Sequence, residues 1–260
     1  MGSAGVQGEL WGRHAQAWAG GMEAQMQPFF EALLEAIAPL DGLQLLDAGC
    51  GAGLLLSRAA AYGAVVSGLD ASGPLLEVAK DRTPDATLKT GDIDDLPFAA
   101  DQFDVVTATN AIQYAVDPAA AVAELARACK PGGRVTIGIW GDPARCETEA
   151  LFARLRSLAP PPPGTPAPLA CSDAGVVEEL MEKAGLTVTG GGEQAVGFEF
   201  ADHDEAWTKH TASGPLQKVI DVAGEDAVRR VLHDVLEADR KPNGSLRQDN
   251  VFRWVIATKP

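Results

Sequence analysis

Grouped lysines and arginines are missing from all 260 residues, and the formal charge is −15. A nucleic-acid backbone is disfavoured as partner, because its binding draws on counterions released by clustered cations. A negative field draws in cationic ligands instead, although solubility alone also accounts for an acidic chain. The four cysteines, Cys50, Cys129, Cys146 and Cys171, make no CxxC pair and no Cys/His ligand spacing. They read as reduced, mostly structural thiols of a cytoplasmic protein, not as a disulfide framework. No apolar run approaches the length of a bilayer span, and the start shows no basic segment leading into an apolar one. Neither a membrane span nor a signal peptide is expected. Internal repeats are absent as well.

What is present is an alternation. LQLLDA, AVVSGLD, ATLKTGD, FDVVTATNA and GRVTIGIW read as strands, separated by the helical stretches LLLSRAAAYG, PLLEVAKDR and PAAAVAELARACK. Apolar strands interleaved with helices imply right-handed crossovers and a parallel sheet covered on both faces, an α/β doubly wound architecture. Ahead of it, GELWGRHAQAWAG and QPFFEALLEAIAPL predict two helices. After Trp140 the rhythm breaks into the helix CETEALFARLRSL, the proline run APPPPGTPAPLA and the helix DAGVVEELMEKAG. Proline locks φ and removes a donor, so the run reads as an extended surface connector, with an SH3-type ligand role as the other reading. LTVTGGGEQAVGFEF predicts a strand bent or bulged at its triple glycine. Residues 202–240 read as amphipathic helix, and NVFRWVIATK as a closing strand.

The first strand runs into LLDAGCGAG, Leu45 to Gly53. Ligands of open α/β sheets sit beyond the carboxyl ends of the strands, and glycines there let the backbone approach closely. A dinucleotide fold uses G-x-G-x-x-G to seat a diphosphate. Here the third glycine comes one residue early, Leu54 stands where a small residue belongs, and Asp47 would repel a diphosphate while attracting an ammonium or sulfonium. The next strand ends in Asp70, 21 positions after Gly49, where a carboxylate can hold both ribose hydroxyls or else cap a helix with Ser72. In GDIDDLPF, Asp92 can accept from an adenine amino group while Ile93 packs on the ring; an acidic surface turn is the alternative.

LQLLDAGCGAG, VVSGLDAS and the stretch from GDIDDLPF to GRVTIGIWG together resemble a class I S-adenosylmethionine-dependent methyltransferase of the ubiquinone/menaquinone-biosynthesis-like small-molecule group. The likeness is specific over residues 43–141 and looser elsewhere. It implies a Rossmann-like seven-stranded sheet with an antiparallel last strand, one domain over 1–260, its core at 40–141, 171–200 and 250–260, and a helical lid from 1–38, 142–170 and 202–245. It implies S-adenosyl-L-methionine as cofactor, with Asp47, Gly49, Cys50, Gly51 and Gly53 around the methionine part. Asp70 would bind the ribose; Ala71, Ser72 and Leu75 would line the adenosine; Asp92 and Ile93 would hold adenine. Asn110, Ala111 and Gln113 would lie beneath the sulfonium.

Methyl transfer needs orientation, a dry pocket and, for a protic acceptor, a base. Trp11, His14 and Trp18 recur at helical spacing, so they share a face that either caps the cofactor, with Arg13 on its carboxylate, or staples the helix to the core. Trp207 and His210 share a face in DEAWTKHTASGP, comparable to an acceptor-lining helix of similar enzymes, which makes His210 the expected base. Tyr114 either touches acceptor or sulfonium or is a core aromatic. Trp140 is expected on the acceptor pocket. His203 reads as a loop or cap residue and His233 as a surface one; with histidines and carboxylates scattered, no metal site is expected. The expected activity is methylation of a small-molecule acceptor at O, N or C, by a monomer or homodimer acting neither on nucleic acid nor on membranes. Two other functions compete: a protein of this fold that uses the bound cofactor for a rearrangement or decarboxylation, and a nicotinamide-dependent oxidoreductase.

Overall fold

The computed structural model describes residues 4–160 and 168–260. Four short helices come first, α1 (Ala4–Gly12), α2 (Ala15–Gly20), α3 (Met22–Gln25) and α4 (Gln27–Ala36). The single helix expected over GELWGRHAQAWAG is in fact two, broken at Arg13 and His14. Its glycines explain the break: a Cβ on Gly8 would run into the Ala71 carbonyl, and one on Gly12 would come within 2.9 Å of the Ser72 hydroxyl. Glycine lets α1 lie flat on that loop and weakens the helix in return.

The alternating segment forms β1 (Gln44–Ala48), α5 (Leu54–Ala61), β2 (Val65–Asp70), α6 (Gly73–Arg82), β3 (Thr87–Thr90), β4 (Phe103–Thr109), α7 (Pro118–Ala128) and β5 (Cys129–Trp140). Then come α8 (Thr148–Leu158), α9 (Val176–Lys183), β6 (Thr187–Phe200), α10 (His203–Thr211), α11 (Gly214–Ala223), α12 (Glu225–Ala238) and β7 (Leu246–Thr258). The seven strands make one sheet in the order β3-β2-β1-β4-β5-β7-β6. β1 to β5 pair in parallel, and β7 runs antiparallel to both its neighbours. This is the doubly wound, Rossmann-like architecture with an antiparallel last strand.

Successive strand residues face opposite sides of a sheet. Leu45 and Val105 join one buried cluster with Phe29 and Leu33 of α4, while Leu46 and Val106 join another with Val122 of α7 and Val177 of α9. Both faces are thus covered, as a parallel sheet requires. The bulge expected at the triple glycine occurs one step earlier, as a register shift between Val188 and Gly190. Gly192 lies under the Trp254 ring, where a Cβ would collide with it.

Residues 202–240 divide into three helices, α11 opening at Ser213 and α12 following Gly224, whose φ is +83°. Residues 161–167 of the proline run, read as an extended connector, fall outside the described residues. Among the described residues no helix is long and apolar enough to cross a membrane.

Candidate active site

The carboxyl ends of β1, β2 and β4 open onto one cavity, roofed by α1 to α4 on one side and by α8, α10 and α11 on the other. After β1 the chain turns through Gly49, Gly51 and Gly53, all at positive φ (81°, 54° and 79°). Side chains are barred there: a Cβ on Gly49 would strike the Ala111 methyl, and one on Gly53 would lie 2.7 Å from the Ala79 methyl. Gly49, Cys50 and Gly51 line the cavity. Gly53 lies behind it, as the residue before α5.

Asp47 is 1% exposed at the end of β1. Its Oδ1 accepts from the Thr107 hydroxyl at 2.7 Å, and its Oδ2 is buried with no hydrogen-bond partner. Burial pushes its carboxyl up to about 7, with Asp70 and Glu23 adding to the rise against the Thr107 bond. A buried acceptor left unpaired is destabilising unless a ligand supplies the donor. Asp70 accepts the Gly51 N–H at 2.9 Å through Oδ2 and the Ser72 N–H at 2.8 Å through Oδ1. It therefore shapes the glycine loop itself, and each oxygen keeps a further lone pair for the cavity. Burial raises its carboxyl as well.

Sequence reasoning missed a third carboxylate. Glu23 of α3 is 5% exposed, accepts the Ala52 N–H at 3.1 Å and pairs with Arg82. Arg82 also donates to the carbonyls of Ala52 and Ala19, which fastens the N-terminal helices to the loop. Burial pushes Glu23 up while Arg82 opposes the shift. It falls between the two helices expected from the sequence, where nothing marked it for burial.

Farther along, Asp92 accepts the Ala4 N–H at 3.1 Å and the Asp94 N–H at 3.2 Å, with Ile93 buried beside it. Ala71, Leu75, Asp92 and Ile93 all line the cavity. Ser72 does not; it caps α6 by accepting the Leu75 N–H. Asn110, at φ +50°, and Ala111 form the floor beyond β4. Gln113 lies behind them, donating weakly to Asn110 at 3.4 Å.

The lid end of the cavity is apolar. Trp11 packs edge-on against both Trp18 and Tyr114 at 4.7 and 5.7 Å, and all three line the cavity. Burial pushes the Tyr114 phenol up, so it stays neutral. Trp140 meets Phe152, Phe198 and Phe252 in an aromatic wall. His210 faces this wall, 3% exposed, with Nε2 buried and unpartnered. Burial lowers its imidazole to about 4 against the contact with Gln248. Behind it, Gln248 donates to Asp239 at 3.1 Å and accepts from the Thr148 hydroxyl at 3.3 Å. This buried polar chain joins α12, β7 and α8, and nothing in the sequence announced it.

Besides Ser72 and Gln113, which stand behind the lining, three more expectations fail. His14 is exposed and outside the cavity, because the helix breaks at that residue and turns it away from Trp11 and Trp18. Trp207, three residues before His210 on α10, does not line the cavity; its ring lies under the Arg229 guanidinium at 4.2 Å. Arg13 is held outside the cavity by Asp221 at 2.8 Å and Glu9 at 3.0 Å. The histidines are also less scattered than expected: His203 and His233 stack at 4.2 Å beside Glu237.

A family profile described as a methyltransferase domain matches residues 46–137. The chain is 35% identical to the malonyl-[acyl-carrier protein] O-methyltransferase of Erwinia pyrifoliae over 57% of its own length and 56% of the other's. It is 33% identical to the demethylmenaquinone methyltransferase of Renibacterium salmoninarum over 49% of its length and 56% of that protein. It spans just over half the length of these curated relatives. In structure it superposes on the YcgJ protein of Bacillus subtilis with a TM-score of 0.61 at 20% identity, covering 88% of this chain and 97% of that one.

Proposed function

We propose that this chain, whose residues 46–137 match a methyltransferase-domain profile, is a class I S-adenosylmethionine-dependent methyltransferase that methylates a hydroxyl of a small, apolar, uncharged acceptor. The observation that carries this reading is the unpartnered Oδ2 of Asp47, buried at the strand end beside a glycine turn in which Gly49 has no room for a side chain. Asp47, Asp70 and Glu23 gather there, with the Arg82 guanidinium paired to Glu23. Such a seat repels a diphosphate and suits an ammonium or sulfonium, so the residues fit S-adenosyl-L-methionine and disfavour a nicotinamide dinucleotide.

In the proposed complex, Asp47 takes the amino group of the methionine part, while Gly49, Cys50 and Gly51 surround it. Asp70 holds the ribose, Ala71 and Leu75 flank the adenosine, and Asp92 with Ile93 receives the adenine. Gly53, Ser72 and Gln113 act one layer back, by fixing the loop, the α6 cap and the Asn110 side chain. Trp18 and Trp11 close the chamber from above.

When bound, the cofactor supplies an electrophilic methyl group on a sulfonium sulfur, open to in-line displacement. The protein has to orient the acceptor, exclude water and remove one proton. The aromatic wall around Trp140 and the apolar side chains of α3 and α4 exclude water. His210 is neutral near pH 7, since its imidazole titrates at about 4. Its Nε2 faces the wall with no competing partner and takes the hydroxyl proton. Tyr114, neutral and next to Trp11, positions the acceptor from the floor side.

No lysine or arginine lines the cavity among the described residues. A carboxylate or phosphate acceptor would be desolvated there without compensation. The malonyl acceptor of one relative is therefore a poor fit, and a phenolic or enolic hydroxyl a good one. We place the work in the cytoplasm, on a free metabolite, by a monomer or homodimer.

The test incubates the full chain with methyl-labelled S-adenosylmethionine and three acceptor sets: apolar phenols, apolar amines and malonyl thioesters. Label on the phenols is expected. Transfer only to malonyl carboxylate, or turnover that leaves the label on the cofactor, would overturn the reading.

A further inference from the structure

We propose that His203, His233 and Glu237 form a binding site for a first-row divalent cation, zinc foremost, which ties α10 to α12. The site lies outside the cavity and stands independently of the methyltransferase reading. His233 and Glu237 are four residues apart on α12, so they share one face. His203 opens α10 and reaches across to them. Its Nε2 lies 2.6 Å from Glu237 Oε1, its ring stacks on His233 at 4.2 Å and 25°, and one ligand atom from each of the three lies within 4.8 Å of the others.

Two imidazoles and a carboxylate match the nitrogen and oxygen set that zinc takes. Tetrahedral ligands at zinc bond lengths stand about 3.3 Å apart, so modest side-chain rotations close the set. Arg240 binds both oxygens of Glu237 at 2.5 to 2.9 Å, which fixes the carboxylate in place. Oε1 keeps a second lone pair toward His203, the direction a cation would occupy. His203 Nε2 meets Glu237 while its Nδ1 is buried without a partner among the described residues; ligation through Nε2 would replace the Glu237 hydrogen bond and leave the ring proton on Nδ1. The His233 side chain is 55% exposed, which leaves a fourth position to water.

The site has a mechanical address. His203 begins the helix whose other end carries His210, seven residues on, into the cavity. A cation there would fix the lid helix against α12 without touching the acceptor.

The test is calorimetric titration of the chelator-treated full chain with zinc, paired with thermal unfolding and cobalt spectroscopy. Expected are one saturable site with a dissociation constant of roughly micromolar or tighter and a midpoint raised by several degrees. His233→Ala changes an exposed side chain and Glu237→Gln keeps its shape; each should weaken binding at least tenfold with unchanged circular dichroism. Cobalt should give ligand-field bands without thiolate charge transfer. No saturable binding, affinity unchanged in both variants, or a thiolate band marking a cysteine-held ion would each overturn the proposal.

Discussion

The two ends of the cavity are made differently. The glycine-loop end is built from backbone, by sharp turns after consecutive strands, and N–H groups of the strand-end loops fix Asp70 and Asp92. The lid end is built from side chains of segments far apart in the chain, with Phe30, Trp140, Phe152, His210 and Phe252 meeting in one wall. Backbone-built sites tolerate little change and take one ligand. Side-chain walls can be re-cut while the fold survives. The first end therefore fixes the cofactor, and the second selects the acceptor.

The sharpest way to break this contrast is Gly49→Val. Its φ of +81° and the adjacent Ala111 methyl leave no room for a side chain, so binding of S-adenosylhomocysteine should fall by roughly a hundredfold or more. Near-native affinity by calorimetry would mean the turn is not built as described. Next in size is Asp70→Ala, which removes the loop's two N–H contacts and the proposed ribose contact together; affinity should drop more than about tenfold. If titration finds it unchanged, the ribose lies elsewhere.

At the lid end the readout should shift from binding to rate. His210→Ala should slow turnover by about tenfold or more, while affinity for S-adenosylhomocysteine stays constant. A parallel loss of affinity would erase the division between the two ends. His210 also contributes to stability with a definite sign. Its folded value of about 4 lies below the ordinary 6.5, so the unfolded chain binds more protons between those values. Stability should decline as pH falls through that window, by up to roughly 3 kcal/mol, and His210→Gln should flatten the slope.

The smallest effect belongs to Asp47. With its carboxyl near 7, a cationic ligand must drive off a proton below that pH, so affinity should rise a few-fold from pH 6 to pH 7.5. Titration in buffers of different ionisation enthalpy should show proton release on the acid side. A flat profile would separate Asp47 from the ligand.

The same asymmetry governs what the sequence revealed. The glycine spacing, Asp47 and Asp70 were legible because positive φ and strand-end position restrict residue choice, and the alternation of strands and helices gave the doubly wound, parallel class of the sheet. The break after Gly12 was not, because it depends on contact with Ser72 and Ala71 that periodicity does not encode. His14 and Trp207 were misplaced for that kind of reason: helical spacing assumes an unbroken helix whose whole face meets the site, and neither the break at His14 nor the contact of Trp207 with Arg229 is encoded locally. Glu23, Thr148 and Gln248 left no trace, since single polar residues on amphipathic elements look like surface until packing buries them. The stacked pair of His203 and His233 joins two helices 30 positions apart by residue number, beyond any local spacing rule.

Asp92 anchors the backbone of Ala4, the first described residue of the leading helix, through the carboxylate assigned here to adenine. The chain's own beginning and the incoming base therefore compete for one oxygen pair. Arrival of the nucleoside should be legible as faster amide exchange at the opening turn, a built-in gauge of occupancy at the molecule's edge.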